Sequence, residues 1–198
     1  MEKIKEIIIG TNNDGKYREI CDLLPQEVKK YYPKEFKISS PEEIGKNFEE
    51  NSLLKASYFS KKTNLVCLAD DSGLEIKLLN GAPGIYSARW GDVKNNFDEA
   101  IEKVFEEMSK IKKDWKNESI ARFVCCLSLF WPGGKSFSSK GTVKGKISAQ
   151  RKGNKGFGYD PIFIPNGYNK TFGEMEPKLK MSIDHRFRAF LKMKFFFI

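Results

Sequence analysis

"KEIIIGTNNDGKYREICDLLP", residues 5–25, sets the reading of the whole chain. Ile7, Ile8 and Ile9 form a short, continuous β-branched run, the pattern of a buried strand. Beyond Gly10 the polar stretch Thr11, Asn12, Asn13 and Asp14 turns the chain. Tyr17, Ile20, Leu23 and Leu24 then recur at helical spacing until Pro25 stops the pattern. A strand, a polar turn and a helix start bring backbone N–H donors and the positive helix end to one point, a natural anion site. Gly10, Gly15 and Lys16 also match the glycine-rich phosphate loop G-x-x-x-x-G-K. That loop needs a Ser or Thr next, to hold Mg²⁺, and this chain has Tyr17. A metal used here must therefore be anchored by carboxylates elsewhere.

Two places offer them. Glu42 and Glu43 precede a helix in "PEEIGKNFEENSLLKASYFSKK", residues 41–62, and Asp70 and Asp71 lie in "NLVCLADDSGLEIKLL", residues 64–79. Each pair also has an ordinary structural reading. Acidic groups ahead of a helix offset its dipole. Asp-Asp-Ser-Gly is good turn chemistry, so residues 64–79 read as strand, turn, strand.

Asn96 with Glu99 three residues on resembles a capping box, ahead of a helix face of Ile101, Val104, Phe105 and Met108. "SIARFVCCLSLFWP", residues 119–132, is apolar on both faces and predicts a central strand. "KSFSSKGTVKGKIS", residues 135–148, predicts shorter strands broken by glycines. "RKGNKGFGYDPIFIPNGY", residues 151–168, reads as a glycine-rich loop entering a strand. "SIDHRFRAFLKMKFFFI", residues 182–198, reads as a last helix with His185, Ala189 and Met193 in register. The irregular alternation predicts an α/β chain with a mixed sheet.

Composition narrows the function classes. The apolar residues make up 40% of 198, and 16 glycines bring the total to about 48%, the level of an ordinary globular chain. No apolar run approaches the ~18 residues of a membrane span, and the N-terminus lacks a secretory pattern. The net charge of +9 favours anionic partners, nucleic acid and polyphosphates among them. Lysine is spread along the chain, however, with no basic stripe for nucleic acid. Cys21, Cys67, Cys125 and Cys126 form no CxxC pair and His185 is the only histidine, so a zinc site is not expected. Reduced thiols in apolar runs suit the cytoplasm.

Six stretches, taken in order, carry a more specific reading. They are "TNNDGK", "FEENSLLKA", "LADDSGLEI", "NGAPGIYSARW", "GFGYDPIF" and "IDHR". With them the chain resembles, from Ile7 to about Ala189, the pyrophosphatases of non-standard purine nucleoside triphosphates, also called inosine triphosphatases or Ham1-like proteins. The resemblance implies a single domain over residues 1–198. Its fold would be an elongated mixed sheet flanked by helices, with two lobes, an active-site cleft between them, and a homodimer. It also implies Mg²⁺-dependent cleavage of ITP, dITP or XTP to the monophosphate and pyrophosphate. Thr11, Asn12, Asn13, Asp14, Gly15 and Lys16 match the triphosphate loop. Glu43 and Asp71 match the metal ligands, with Asp71 in the place of the proton acceptor, and Lys55 and Ser72 match phosphate-side residues. Phe157, Gly158, Tyr159, Asp160, Lys180, His185 and Arg186 match the base-recognition set.

These assignments make chemical sense. Lys16 and Lys55 would neutralise phosphate oxygens. Hypoxanthine and xanthine carry an oxygen at C6 where adenine has an amino donor. Donors from Lys180, His185 or Arg186 would therefore be mismatched against adenine, a penalty that can reach ~10⁴–10⁵. Phe157 could stack on the base, although Phe157 and Tyr159 could equally be core plugs. Arg89 and Arg122 read as ion-pair scaffolding. The family usually has Ser before the His-Arg pair, and Asp184 stands there instead, where it could engage Arg186, raise the His185 pKa or cap the helix. The apolar end "KMKFFFI" predicts core packing or a dimer contact. The rival readings are a related nucleotide pyrophosphatase with another base preference, a silent nucleotide sensor and a basic nucleic-acid-binding protein.

Overall fold

The computed structural model describes residues 3–91, 96–117 and 119–198. Six strands form one sheet in the order β2-β1-β3-β4-β5-β6. They are β1 (Glu6–Ile9), β2 (Lys29–Tyr31), β3 (Cys67–Ile76), β4 (Ile120–Phe130), β5 (Ser136–Ile147) and β6 (Phe163–Pro165). β1 pairs in parallel with β2 and β3, with Ile8 opposite both Tyr31 and Cys67. β5 and β6 are antiparallel, with Ile147 opposite Phe163, so the sheet is mixed. The helices are α1 (Asp14–Leu23), α2 (Phe48–Thr63), α3 (Phe97–Ile111), α4 (Pro177–Ile183) and α5 (His185–Phe190). Among the described residues no helix is long and apolar enough to cross a membrane.

The chain divides into two compact units. The first holds Met1–Asp71, Cys125–Gly141 and His185–Ile198. Its core gathers Ile7, Ile9, Ile20, Leu68, Leu127, Phe190 and Met193. Phe196 and Phe197 from the apolar C-terminal end join it, Phe196 tilted against Trp131 at 5.2 Å, while Phe195 and Ile198 stay exposed. The second unit holds Ser72–Val124 and Thr142–Asp184, around Leu74, Ile101, Val104, Phe123, Phe163 and Phe172. Asn96 caps α3 as expected, its side chain accepting the Glu99 N–H.

Three local expectations are overturned. Residues 67–76 are one unbroken strand, without a turn at Asp70–Gly73. Local turn preference yields because Asp70 and Asp71 are buried and each meets a cationic partner. β5 also runs unbroken through Gly141 and Gly145. These glycines permit close approach: a Cβ on Gly141 would lie 2.0 Å from the His185 carbonyl oxygen, and one on Gly145 would lie 2.3 Å from that of Ile164. Finally, the C-terminal segment is broken into α4, α5 and a 3₁₀ turn at Lys194–Phe196, because Asp184 adopts an extended conformation (φ −74°, ψ 174°) between the helices.

Candidate active site

The loop after β1 is built as the sequence suggests, with side chains completing the turn. Thr11 Oγ1 accepts the Asn13 N–H at 3.1 Å, and Asn13 caps α1, its Oδ1 accepting the Lys16 N–H at 3.0 Å. Asn12 donates its amide to the Ile38 carbonyl at 3.2 Å. Asp14 points away into solvent, held by the Tyr32 hydroxyl and by Lys34 at 2.7 Å, and Gly15 lies in the first turn of α1. Tyr17, where a phosphate loop has its hydroxyl, stacks on Tyr32 with ring centroids 4.0 Å apart. The position is used for packing.

Lys16 reaches back to strand β3, and its ammonium lies 2.7 Å from Asp70 Oδ1. Asp70 is fully buried and also accepts Arg186 Nε at 3.0 Å and the Cys125 thiol at 3.0 Å, while Arg186 extends to Glu19. Burial alone would raise the Asp70 carboxyl, but the Arg186 and Lys16 charges overcome it and hold it well below the usual carboxylate range. The Lys16 ammonium responds in kind: burial opposes its charge, and Asp70 and Asp71 raise its pKa nonetheless.

Asp71 faces the other way, as consecutive strand residues must. Its Oδ1 lies 3.3 Å from Lys55 Nζ, and its Oδ2 accepts the Asn51 amide at 3.2 Å. The same Lys55 nitrogen lies 2.5 Å from Glu43 Oε1, so Glu43 and Asp71 converge on one buried positive charge. Burial raises the Asp71 carboxyl; Lys55 and Lys16 pull against that, while Glu43 and Asp70 reinforce it. Glu42 is exposed on the same loop. Ser72 follows Asp71 in β3, the first residue of the second unit.

The expected base-reading residues fall in both units. In the second, Asp160 is buried and accepts the Phe157 N–H at 2.9 Å and the Lys180 ammonium at 2.5 Å. Lys180 Nζ also lies 5.2 Å from the Phe157 ring centroid. Gly158 has φ +65°, and Gly156 has φ +72° with no room for a Cβ against Asp160. Tyr159 is packed in the core with its hydroxyl on the Ser87 carbonyl at 2.9 Å, and burial raises its phenol pKa. Arg122 pairs with Glu75 in the same unit, as scaffolding. In the first unit, His185 and Arg186 open α5, both buried.

The structure thus brings Lys16, Glu43, Lys55, Asp71 and Arg186 into one charge network, and groups Phe157, Asp160 and Lys180 separately. Sequence reasoning missed Asn51 and Glu19, and missed Asp70 as the hub. Spacing carried a signal for two of them. Asn51 lies four residues before Lys55 on α2, and Glu19 three after Lys16 on α1, so each shares a helix face with a lysine already singled out.

A mixed α/β chain with two adjacent buried carboxylates, each answered by lysine, has the makeup of a protein that handles polyphosphate. The chain belongs to the Ham1 family, whose sequence pattern it matches over residues 7–196. It is 42% identical over 189 residues to the dITP/XTP pyrophosphatase of Rhodospirillum centenum, covering 94% of this chain and 92% of that one. It is 40% identical over 199 residues to the dITP/XTP pyrophosphatase of Bacillus cereus, with 98% and 95% covered. The Staphylococcus aureus Ham1 protein superposes with a TM-score of 0.83 at 36% identity, covering 97% of both chains.

Proposed function

We propose that this protein is a dITP/XTP pyrophosphatase: it hydrolyses dITP, ITP and XTP to the monophosphate and pyrophosphate, removing these nucleotides from the pool. The observation that carries the reading is the convergence of Glu43 and Asp71 on a single cationic nitrogen, in the same charge network as the N-terminal lysine.

The donor set fits a hard divalent cation, because two carboxylates already share one positive charge. A carboxylate pair suits Mg²⁺, which takes one or two carboxylates and fills its remaining positions with water and substrate phosphate oxygens. Glu43 and Asp71 would hold it, and when bound it would draw charge from the phosphates and make the α-phosphorus more electrophilic. Thr11, Asn12, Asn13, Gly15 and Lys16 would cradle the triphosphate at the α1 N-terminus, with Lys55 and Ser72 on the other side of the phosphates. Asp71 would orient the attacking water and accept its proton, since Asp70 is already occupied by Arg186, Lys16 and Cys125.

For the base, Lys180, His185 and Arg186 would supply donors to the C6 oxygen and Phe157 a stacking face. In this reading the chain is one catalytic domain. It works as a homodimer in the cytoplasm, without nucleic acid or membrane. The test is direct: incubate the protein and Mg²⁺ with dITP, XTP, GTP and ATP, and measure pyrophosphate against single phosphate. Pyrophosphate release from dITP and XTP, far above that from ATP and GTP, is expected. Comparable rates on ATP, or stepwise phosphate release, would overturn the reading.

A further inference from the structure

Asn51 is fully buried on α2, and both ends of its amide are used. Its nitrogen donates to Asp71 Oδ2 at 3.2 Å, and its oxygen accepts the Gly45 N–H at 2.8 Å. The oxygen must face the N–H and the nitrogen the carboxylate, so the two contacts fix the amide orientation. Gly45 lies two residues after Glu43. A Cβ there would come within 2.6 Å of Asn51 Oδ1 and 2.8 Å of Glu50 Cβ, so only glycine lets this loop sit so close to the start of α2. Its neighbours are held as well: Glu50 accepts the Lys46 N–H at 2.8 Å and the Asn47 amide at 2.7 Å, and Asn47 caps the helix by accepting the Glu50 N–H at 2.9 Å. The loop carrying Glu43 is therefore docked on α2, and one amide ties that docking to Asp71.

We infer that Asn51 is a positioning residue for the Glu43–Asp71 pair, setting the distance and orientation of the two carboxylates from a single rigid amide. The inference rests on the reading of that pair as the divalent-cation site. Lys55, one helical turn on, supplies charge between the carboxylates, but its contact to Glu43 is between side chains and leaves the loop backbone unheld. Asn51 holds the loop by its backbone. This is the arrangement in which an outer partner fixes metal ligands, and losing such a partner typically lowers metal affinity or activity about 10- to 100-fold.

The test compares Asn51→Ala, Gly45→Ala and the double variant in the full-length protein. Two measurements are made on each: Mn²⁺ binding by electron paramagnetic resonance without nucleotide, and kcat and KM for dITP. Asn51→Ala is expected to weaken Mn²⁺ binding and lower kcat, each about 10- to 100-fold, with KM changed less than about two-fold. Gly45→Ala should do the same through the loop, and the double variant should be little worse than either single one, because both break one link. Mn²⁺ binding and kcat within about two-fold of wild type in folded Asn51→Ala would overturn the inference, and so would fully additive losses. If Asn51→Ala does not fold, Gly45→Ala decides alone by the same two measurements. A wild-type protein that binds Mn²⁺ but leaves dITP intact would sink the proposed function while the binding comparison still judged Asn51.

Discussion

Asp70 and Asp71 are neighbours in one strand with opposite electrostatic fates. Asp70 is held by Arg186, Lys16 and Cys125 and kept ionised well below its ordinary range, whereas Asp71, with Lys55 and Asn51, has its carboxyl raised by burial. One is surrounded by cationic and thiol donors that hold its charge; in the other the cost of burial prevails. Under the proposed function, such a divergence would assign a structural role to Asp70 and a chemical one to Asp71.

Asp71→Asn should separate those roles. A base lost from a hydrolytic site costs about 10²–10⁴-fold in rate, so steady-state turnover of dITP should fall by that factor, while binding of a non-hydrolysable α,β-methylene analogue persists. The fold should tolerate the change, because Lys55 keeps its pairing with Glu43 and asparagine avoids the burial cost that raises the Asp71 carboxyl. Near-normal turnover would remove Asp71 from the chemistry.

Asp70→Asn should do the reverse and strike stability first. It leaves the buried Arg186 and the partly buried Lys16 short of a counter-charge, a loss of about 3–5 kcal/mol for a broken buried pair, measurable by urea unfolding at pH 7. The pH dependence follows from the sign of the shift. Asp70 has a lowered folded pKa, so its contribution is complete above the ordinary aspartate value of 3.8 and drains away as pH falls through the lowered value. Wild-type stability should drop on acidification below that point, and the Asp70→Asn protein should show a shallower fall.

Lys180→Gln probes base choice. It removes a buried cation from Asp160 and from the Phe157 ring. A hydrogen bond to a charged group contributes about 1.5–3 kcal/mol, so kcat/KM for dITP should fall by about one to two orders of magnitude, with ATP hydrolysis barely altered. An equal loss on both nucleotides would show that Lys180 only supports the fold.

Gly141→Ala tests the contact between β5 and α5. The new methyl would meet the His185 carbonyl oxygen at 2.0 Å and the Ala189 nitrogen at 2.3 Å, backbone atoms with little freedom to yield. Overpacking of this kind costs about 1–3 kcal/mol, and calorimetry should show a lower melting temperature. A variant as stable as wild type would mean that α5 moves aside freely.

Periodicity and local chemistry made β1, Gly10 and α1 legible in the sequence, together with the central strand β4 and the cap on α3. Where the reading failed, the deciding partner was distant in sequence. Asp-Asp-Ser-Gly looks like a turn because the charge that keeps Asp70 in a strand comes from Arg186, 116 residues away. Gly141 and Gly145 look like strand breaks because the backbones that crowd them belong to α5 and β6. Tyr159 was open between base recognition and core, and its hydroxyl on the Ser87 carbonyl shows what local pattern alone could not. Spacing places Asn51 on the Lys55 face of α2, but its role is read only from its two partners, Gly45 and Asp71.

Lys55 gives Glu43 and Asp71 a resident counter-ion. Two acids that would repel each other are reconciled before any nucleotide arrives, so the pair does not depend on a diffusible ion to stay assembled. Exhaustive chelation should therefore silence the protein without melting it, and refilling with magnesium should restore turnover without a refolding lag.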